Sequence, residues 1–293
     1  MREGNREIRK GNPEIVRSNS YIIGGKEFKF DLAYVMGILN VTPDSFSDGG
    51  VYFRREDAVK HGIEMFDMGA DIIDIGGEST RPGSEGVSAF EEMNRVIPVL
   101  ESILSKRPEA VISVDTTKSR VASEALKRGA KIVNDISGGT FEPELLNVVS
   151  DYEAALIIMH IQGTPKTMQQ NPSYDDLIND ILAFLITQAA EAKKAGISKI
   201  IIDPGIGFGK SFEHNLTIIR ELNGFRSAGY PVMIGISRKS FIKKLIDDLT
   251  ADRDVASAVI NALAIKNGAT FIRTHNVLFG LQVCRLMNNI KSL

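Results

Sequence analysis

Side chains able to do acid, base or charge chemistry recur at the ends of short apolar segments in this 293-residue chain. Seven of eight such segments end in, or within a few residues of, Asn40, Asp115, Asn134, His160, Asp203, Lys239, and the pair Arg273 and His275. A single Asp or Asn in such a place often only caps a turn or a helix. Because the placement recurs in successive segments, we interpret these side chains together as one site.

The acids and the amide of this set suit a flat, nitrogen-rich ring. A carboxylate such as Asp115 or Asp203 accepts two parallel N–H bonds from an amidine-like edge, as it does from arginine. Pterin and guanine rings present such an edge, with a 2-amino group beside N3. Asn134 adds a donor and an acceptor, Lys239 can donate to the ring carbonyl, and Arg273 can stack on the ring face. The pattern therefore predicts a site for a flat heterocycle.

Other strand-end residues suit an anion attached to that ring. Arg273, His275 and Asn40 can face a phosphate or its metal ion. Magnesium carried by a phosphate substrate needs only one or two oxygen ligands from protein, and Asn40 can supply one. The segment "SRKSF", residues 237 to 241, places two cations and two hydroxyls at a strand end and helix start, where the helix dipole favours an anion. The predicted ligand is a heterocycle that carries phosphate.

The elements that must position these residues are eight continuously apolar segments separated by stretches with helical spacing. The segments are "AYVMGIL", "DIIDIG", "VISVD", "KIVNDI", "AALIIMH", "KIIID", "PVMIGI" and "TFIRT". Continuous apolar runs are typical of parallel strands covered on both faces. Five of the helical stretches end at glycine, which adopts a left-handed cap without a Cβ penalty: Gly69, Gly129, Gly196, Gly229 and Gly268. The pattern predicts an α/β (β/α)8 TIM barrel. The alternative is a doubly wound open sheet, but no "GxGxxG" opens its first unit.

Length and composition predict one large domain. The chain is 43% apolar and 25% charged, and barrels of this size fold as one unit. Ahead of the barrel, "YIIGGKEFKF" predicts a hairpin that turns at Gly24 and Gly25 and covers the barrel floor. We predict a flexible N-terminal tail over residues 1–20 and a single domain over residues 21–293.

Several classes of function are disfavoured by charge and composition. A net charge of −2 and a pI near 6.2 argue against nucleic acid as a partner. No apolar run is long enough to span a membrane, and the first twenty residues have the pattern of neither a signal nor a transit peptide. The one cysteine, Cys284, allows no internal disulfide and fits a reducing compartment. We expect a cytoplasmic protein.

Two groups of residues look like a nucleotide-binding loop and a metal site but lack the residue spacing that these require. "GIGFGKS", residues 205 to 211, has Pro204 where a Walker A loop needs glycine, so it predicts only a glycine-rich turn near a flat ligand. His160, His214 and His275 occupy separate units without the close spacing of a metal site. We therefore expect no dedicated protein metal centre apart from magnesium brought by a phosphate substrate.

The chain resembles the dihydropteroate synthases along the whole barrel. The blocks that carry the resemblance, in family order, are "MGILNVTPDSFSDGG", "GADIIDIGGESTRPGS", "ISVDTTKSRVASEAL", "GAKIVNDISGG", "MHIQGTPKTMQ", "IIDPGIGFGKS", "GISRKSF" and "RTHNV". This family condenses 6-hydroxymethyl-7,8-dihydropterin pyrophosphate with 4-aminobenzoate on a barrel that is usually dimeric. The resemblance implies this transferase reaction of folate biosynthesis, Mg²⁺, a homodimer and an enzyme of the kind that sulfonamides target.

The resemblance also implies roles for particular residues. The pterin would be held by Asp115, Asn134, Met159, Asp203, Phe208 and Lys239, and the pyrophosphate by Asn40, Arg273 and His275, with Asn40 toward the metal. The 4-aminobenzoate side would be lined by Phe46, Asp48, Thr80, Arg81, Pro82, Phe208 and Ser237. The residues implied in catalysis are Asp115, Lys239, Arg273 and His275.

The loops "TPDSFSDGG" and "ESTRPGS" would close over the reacting centre and exclude water. Two positions depart from the family pattern: Asn276 stands where Asp is common, and Ala256 where Gly is common. Asn276 cannot supply the carboxylate that the family commonly has at this position.

Two rival functions remain, a methyltransferase on a related pterin-binding barrel and a pterin-binding protein without catalysis. The first would lack "TPDSFSDGG", "SRKSF" and the Arg-x-His ending, and the second would need no phosphate group of Arg273 and His275.

Overall fold

A computed structural model describes residues 19–42, 51–246 and 253–291 of the chain. Phe46 and Asp48, predicted to line the 4-aminobenzoate side, lie outside the described residues, as does nearly all of the predicted N-terminal tail.

The predicted barrel is confirmed by eight parallel strands in one sheet. Their bounds are β3 Tyr34–Asn40, β4 Ile72–Gly76, β5 Ile112–Asp115, β6 Ile132–Asp135, β7 Ala155–Met159, β8 Lys199–Asp203, β9 Met233–Ile234 and β10 Phe271–Thr274. All except β9 begin and end within one residue of the predicted segment. The interior residues of these strands are almost all buried, which explains why the sequence shows no polar alternation.

The sheet closes into a barrel through β9, its shortest strand. Its order is β8-β7-β6-β5-β4-β3-β10-β9, and an isolated parallel bridge between Ile202 and Val232 joins the two ends. The Ile202 amide donates to the Pro231 carbonyl at 3.0 Å. The seventh predicted strand, "PVMIGI", is mostly wrong in extent, since only two of its residues form β9. Beyond them the Ile236 carbonyl accepts from the Lys239 amide in a turn, so it no longer belongs to the ladder.

Helices follow the barrel strands and cover them. Their bounds are α1 Val51–Met68, α2 Ala89–Lys106, α3 Ser119–Lys127, α4 Glu144–Asp151, α5 Leu177–Lys194, α6 Phe212–Arg220, α7 Ser240–Ile246, α8 Arg253–Lys266 and α9 Val277–Lys291, with a 3-10 helix at Leu222–Ala228. Side-chain caps from Ser88, Asp176 and Ser211 begin α2, α5 and α6. The five predicted glycine ends all have φ between 80° and 113°, as expected.

The hairpin closes the amino-terminal end of the barrel. Strands β1 Ser20–Ile23 and β2 Lys26–Lys29 pair antiparallel, and Gly24 and Gly25 turn the chain with φ of 59° and 80°. Phe28 is fully buried with Ile23 against residues at the strand starts. The predicted hairpin is confirmed, and it leaves the carboxyl end of the barrel for the site. None of the helices that the structure describes has the length and apolar character needed to cross a membrane.

Candidate functional site

The carboxyl ends of the strands bring the predicted residues to one level of the barrel. In the parallel registers, Asn40 lies opposite Gly76, Gly76 opposite Asp115, and Asp115 opposite Asn134. On the other side Met159 lies opposite Asp203. Neighbouring strands therefore present their polar ends side by side, as the sequence pattern predicts.

Asp74, which sequence analysis missed, bonds to both Arg273 and Asn134, and Arg273 in turn bonds to Asp115. Its Oδ2 accepts from Arg273 Nε at 2.6 Å and from Asn134 Nδ2 at 2.9 Å, while Arg273 Nη2 donates to Asp115 Oδ2 at 2.7 Å. Asp74 is fully buried in the middle of β4. The guanidinium of Arg273 thus lies between two carboxylates inside the barrel mouth. The available signal was a charged residue inside "DIIDIG", because a buried charge needs a partner.

Burial and opposite charges shape the titration of this cluster. Removal from water raises the pKa of Asp115, and the Arg273 guanidinium opposes that rise. Burial also raises the pKa of Asp203, opposed chiefly by Lys239. The same desolvation lowers the pKa of Lys239 to about 8, with Asp203 acting in the other direction. With the fully buried Asp74, three acids therefore lie with two cations, Arg273 and Lys239, in a largely buried site.

The glycine-rich turn after β8 forms one wall. Gly205 donates its amide to Asp203 Oδ1 at 2.7 Å, and its φ is 72°. A Cβ at Gly205 would lie 1.9 Å from the His160 carbonyl oxygen, so only glycine fits this approach. Lys239 Nζ donates to the Ile206 carbonyl and lies 4.6 Å from the centroid of the Phe208 ring. Phe208 packs on a small apolar cluster at this end of the barrel: Ile136, Met159, Ile161 and Met168.

A second buried lysine, also missed from the sequence, supports this wall from behind. Lys210 Nζ lies 2.9 Å from His160 Nδ1 and donates to the Phe208 carbonyl at 2.9 Å. Burial, and next the charge of Lys210, lower the pKa of His160 to about 3, so its imidazole is neutral. The ring of His160 packs against Phe184 and Tyr174. His160, one of the strand-end set, therefore joins two loops beneath the surface of the site.

Asn40, Ser237 and His275 belong to the segments predicted to face the anion, and two of them are in contact. The Ser237 hydroxyl oxygen accepts from the His275 amide at 3.2 Å and lies 3.0 Å from its Nδ1. Burial, followed by the charge of Arg273, lowers the pKa of His275 to about 3. Because Nδ1 of this neutral imidazole meets Ser237, Nε2 is the ring nitrogen left for another contact. Asn40 ends β3, half-buried beside Gly76.

The loop between β4 and α2 is only partly covered. Thr80 is half-buried, whereas Arg81 and Pro82 are exposed. Within the loop the Ser84 hydroxyl donates to the Ser79 carbonyl at 2.6 Å, and at its tip the Gly83 amide donates to the Pro165 carbonyl at 3.0 Å. The structure thus places one loop of the predicted 4-aminobenzoate side, and the roles of its residues stay predictions.

Asn276, a departure from the family pattern, has two structural partners. Its Nδ2 donates to Asp254 Oδ2 at 3.1 Å, and its Oδ1 accepts from the Phe279 amide at 3.1 Å, within the first turn of α9. Asp254 also receives a two-pronged bond from Arg238 at 2.7 and 2.8 Å. An aspartate at 276 could not donate to Asp254, so asparagine suits this arrangement. Ala256, the second departure, packs half-buried against the core.

Comparisons with known proteins agree with this geometry. The family model described as pterin binding enzyme matches residues 36–275. Dihydropteroate synthases of Synechocystis sp. and Escherichia coli are 46% and 45% identical over 256 residues, which covers 86% and 87% of this chain and 88% and 90% of those proteins.

Solved structures agree as well. Dihydropteroate synthase of Xanthomonas albilineans with 4-aminobenzoic acid matches with a TM-score of 0.86 and 37% identity, covering 94% of this chain and 99% of that one. Dihydropteroate synthase of Yersinia pestis with a sulfonamide drug matches with a TM-score of 0.87 and 38% identity, covering 94% and 100%.

Proposed function

The chain belongs to the dihydropteroate synthases, the pterin-binding transferases of folate biosynthesis, and we propose that its strand-end cluster is the site of their reaction. The reaction joins 6-hydroxymethyl-7,8-dihydropterin pyrophosphate to 4-aminobenzoate and releases pyrophosphate, giving 7,8-dihydropteroate. The observation that carries the assignment is the buried cluster at the barrel mouth, in which Asp74, Asp115 and Asp203 lie with the cations Arg273 and Lys239 and offer both donors and acceptors to a flat ring.

The pterin lies deepest in this proposal. Asp203 accepts from the ring N3–H and 2-amino group, since the Gly205 amide holds the carboxylate in place through Oδ1 alone. Asn134 serves the same edge, and Lys239 donates to the ring carbonyl. Met159 and Phe208 pack on the ring from the apolar cluster. The N3–H, the 2-amino group and the ring carbonyl then have partners in a largely buried pocket.

The pyrophosphate faces Arg273, His275 and Asn40. Among the described residues, no cluster of three or more His, Cys, Asp or Glu side chains could hold a metal ion. The oxygen donor of Asn40 fits Mg²⁺ that takes its other ligands from phosphate and water. When bound, Mg²⁺ neutralises charge on the leaving pyrophosphate. Arg273 supplies positive charge beside it, and the neutral His275 supplies a nitrogen.

The chemistry exchanges one bond at the pterin methylene. The bond from carbon to the pyrophosphate oxygen breaks with both electrons on oxygen, and the aromatic amine nitrogen then donates its pair to that carbon. Asp115 stabilises the positive charge that develops on the pterin. The new anilinium loses its proton to water or to released pyrophosphate, so no general base is needed.

The second substrate binds on the outer side. We assign 4-aminobenzoate to a space lined by Thr80, Arg81, Pro82, Phe208 and Ser237; Phe46 and Asp48, predicted for the same side, lie outside the described residues. Closure of the loop between β4 and α2 over the site would exclude water, which otherwise captures the electrophilic methylene. Arg81 is suited to the carboxylate of this substrate or to Asp48.

The assignment is tested by incubating the purified protein with the pterin pyrophosphate, MgCl₂ and labelled 4-aminobenzoate. We expect labelled dihydropteroate and an equal amount of pyrophosphate, and loss of both when EDTA removes magnesium. Pterin binding without pyrophosphate release would instead indicate a non-catalytic binding protein. Folded protein that forms no labelled product would contradict the proposed function.

Replacing His275 with alanine tests the anion end. We expect Kd for the pterin pyrophosphate to rise about tenfold or more, since a bond to a charged group contributes roughly 1.5–3 kcal/mol. Kd for the hydroxymethyl pterin without phosphate should stay within about twofold, because only the pyrophosphate reaches His275. Calorimetry with both ligands measures the difference, and His61→Ala on the exposed face of α1 is the matched control. Equal losses for both ligands would place His275 with the ring or the fold.

We also propose a cytoplasmic homodimer. Helix α8 carries three exposed aliphatic residues spaced four apart, Val255, Val259 and Leu263, which are 58%, 66% and 44% exposed. Such a stripe at helical spacing is typical of an interface between chains. Val259→Asp should convert the dimer to a monomer in sedimentation velocity, whereas Ile186→Asp on α5 should not. A wild-type monomer at micromolar concentration would contradict the dimer.

The proposed cytoplasmic location is supported by the buried Cys284 thiol, which fits a reducing compartment.

A further inference from the structure

Lys118 contacts both ends of the loop between β4 and α2. Its Nζ donates to Glu78 Oε2 and to Glu92 Oε2, the latter at 2.6 Å. Glu78 lies two residues after β4 ends, and Glu92 lies in the first turn of α2. Lys118 itself precedes α3 and so belongs to the next unit of the barrel. One ammonium group therefore joins the start of this loop to the helix that follows it.

The cluster is too buried to be an ordinary surface ion pair. The Glu92 side chain is fully buried, and those of Lys118 and Glu78 are 17% and 24% exposed. Burial raises the pKa of Glu92, and hydrogen bonds from Lys118 and Thr116 oppose that rise. Glu92 Oε1 has no hydrogen-bond partner among the residues that the structure describes. The carboxylate of Glu92 therefore depends on Lys118 for most of its compensation.

Other contacts make the base of the loop tight while its tip is exposed. Arg95 Nη1, from α2, donates to the Gly77 carbonyl at 2.8 Å. A Cβ on Gly77 would lie 2.8 Å from the Val96 side chain, and one on Gly86 would lie 3.1 Å from Glu78 Oε1. Glu78 thus contacts both the outgoing and the returning chain. The base of the loop is therefore held by side chains of α2 and by Lys118, whereas its exposed tip has a backbone bond from Gly83 to Pro165.

We propose that Lys118 is a positioning residue that fixes the base of the loop at residues 77–88 and thereby places Thr80, Arg81 and Pro82 for 4-aminobenzoate. The inference rests on the proposed role of this loop in binding the second substrate. Lys118 Nζ contacts carboxylates of the loop and of α2, and none of the pterin-side residues is its hydrogen-bond partner. Loss of its charge should therefore affect the second substrate far more than the first.

The decisive variant is Lys118→Met, which keeps the length of the side chain and removes its charge. We expect KM for 4-aminobenzoate to rise about tenfold or more, because small misplacements of a binding group cost up to about 100-fold. Kd for the pterin pyrophosphate, measured by calorimetry, should change less than about twofold. Lys118→Arg should restore most of the loss, since a guanidinium can bridge two carboxylates. Lys127→Met, an exposed lysine of the same segment, is the matched control.

Glu78→Gln provides a second route that leaves the buried Lys118–Glu92 pair intact. It should reproduce the selective rise in KM for 4-aminobenzoate in a folded enzyme. Unchanged KM in Glu78→Gln, or equal losses for both substrates in Lys118→Met, would overturn the proposal. Arg81→Ala shows whether a negative result concerns Lys118 alone or the proposed role of the whole loop in binding 4-aminobenzoate. If Arg81→Ala raises KM and the Glu78 and Lys118 variants do not, the base contact is unimportant; if none of the three raises it, the loop does not serve the second substrate.

Discussion

Asp203→Asn is expected to remove pterin binding from an enzyme that still folds. The Gly205 amide donates to Asp203 Oδ1 at 2.7 Å, so an asparagine would keep its oxygen there and turn its NH₂ group toward the ligand. That NH₂ would oppose the N–H groups of the pterin edge and replace a charge-assisted pair by two facing donors. The expected cost is roughly 3 kcal/mol or more, which is an affinity loss above about 100-fold.

The measurement is calorimetric titration of the variant with the pterin pyrophosphate and with the hydroxymethyl pterin. Both ligands should lose affinity alike, because both carry the ring edge that Asp203 recognises. This common loss distinguishes Asp203 from His275, whose replacement should affect only the phosphorylated ligand. Asp151→Asn, at the exposed end of α4, is the control for removing one carboxylate. An unchanged Kd in Asp203→Asn would assign this acid to the fold alone.

The barrel was predictable because its signals are local. Buried parallel strands show as continuous apolar segments, and a glycine such as Gly129 marks where a helix must end with φ near 110°. The extent of β9 was not predictable, since "PVMIGI" looks like its neighbours in sequence. Its pairing stops before the turn in which the Lys239 amide donates to the Ile236 carbonyl. The position of this turn depends on where the fold places Lys239.

The candidate site was predictable where a polar residue ends an apolar segment. Asp115, Asn134 and Asp203 stand out by that position, and the strand registers bring them to one level. Asp74 and Lys210 do not stand out in this way. Asp74 lies within a strand. Lys210 lies in the glycine-rich segment "GIGFGKS", which predicts only a turn. Residues whose importance comes from a partner distant in sequence, such as Arg273 for Asp74, need the fold to be found.

Asp74→Asn should damage both stability and catalysis, because one oxygen of Asp74 supports two residues of the site. Its Oδ2 accepts from Arg273 Nε and from Asn134 Nδ2, and its Oδ1 has no hydrogen-bond partner among the described residues. The amide cannot balance the buried guanidinium, which would be left to Asp115. Breaking a buried ion pair by removing one partner costs about 3–5 kcal/mol. Since Asp115 still pairs with Arg273, we expect a loss near the lower end, about 3 kcal/mol, in the free energy of unfolding in urea.

The catalytic effect separates this role from simple stabilisation. With residue 74 neutral, Arg273 would draw more strongly on Asp115, and Asn134 would share with Arg273 a weaker, uncharged amide oxygen as its acceptor. We therefore expect kcat/KM for the pterin pyrophosphate to fall about 100-fold or more at a temperature where the variant is folded. Asp71→Asn is the matched control: Asp71 lies one residue before the same strand at the opposite end of the barrel, where it pairs with Lys26 and accepts from the Val35 amide at 2.7 Å. It should lower stability with kcat/KM kept. If Asp74→Asn behaves like Asp71→Asn, the carboxylate of Asp74 supports the barrel and does not position Arg273 and Asn134 for the substrate.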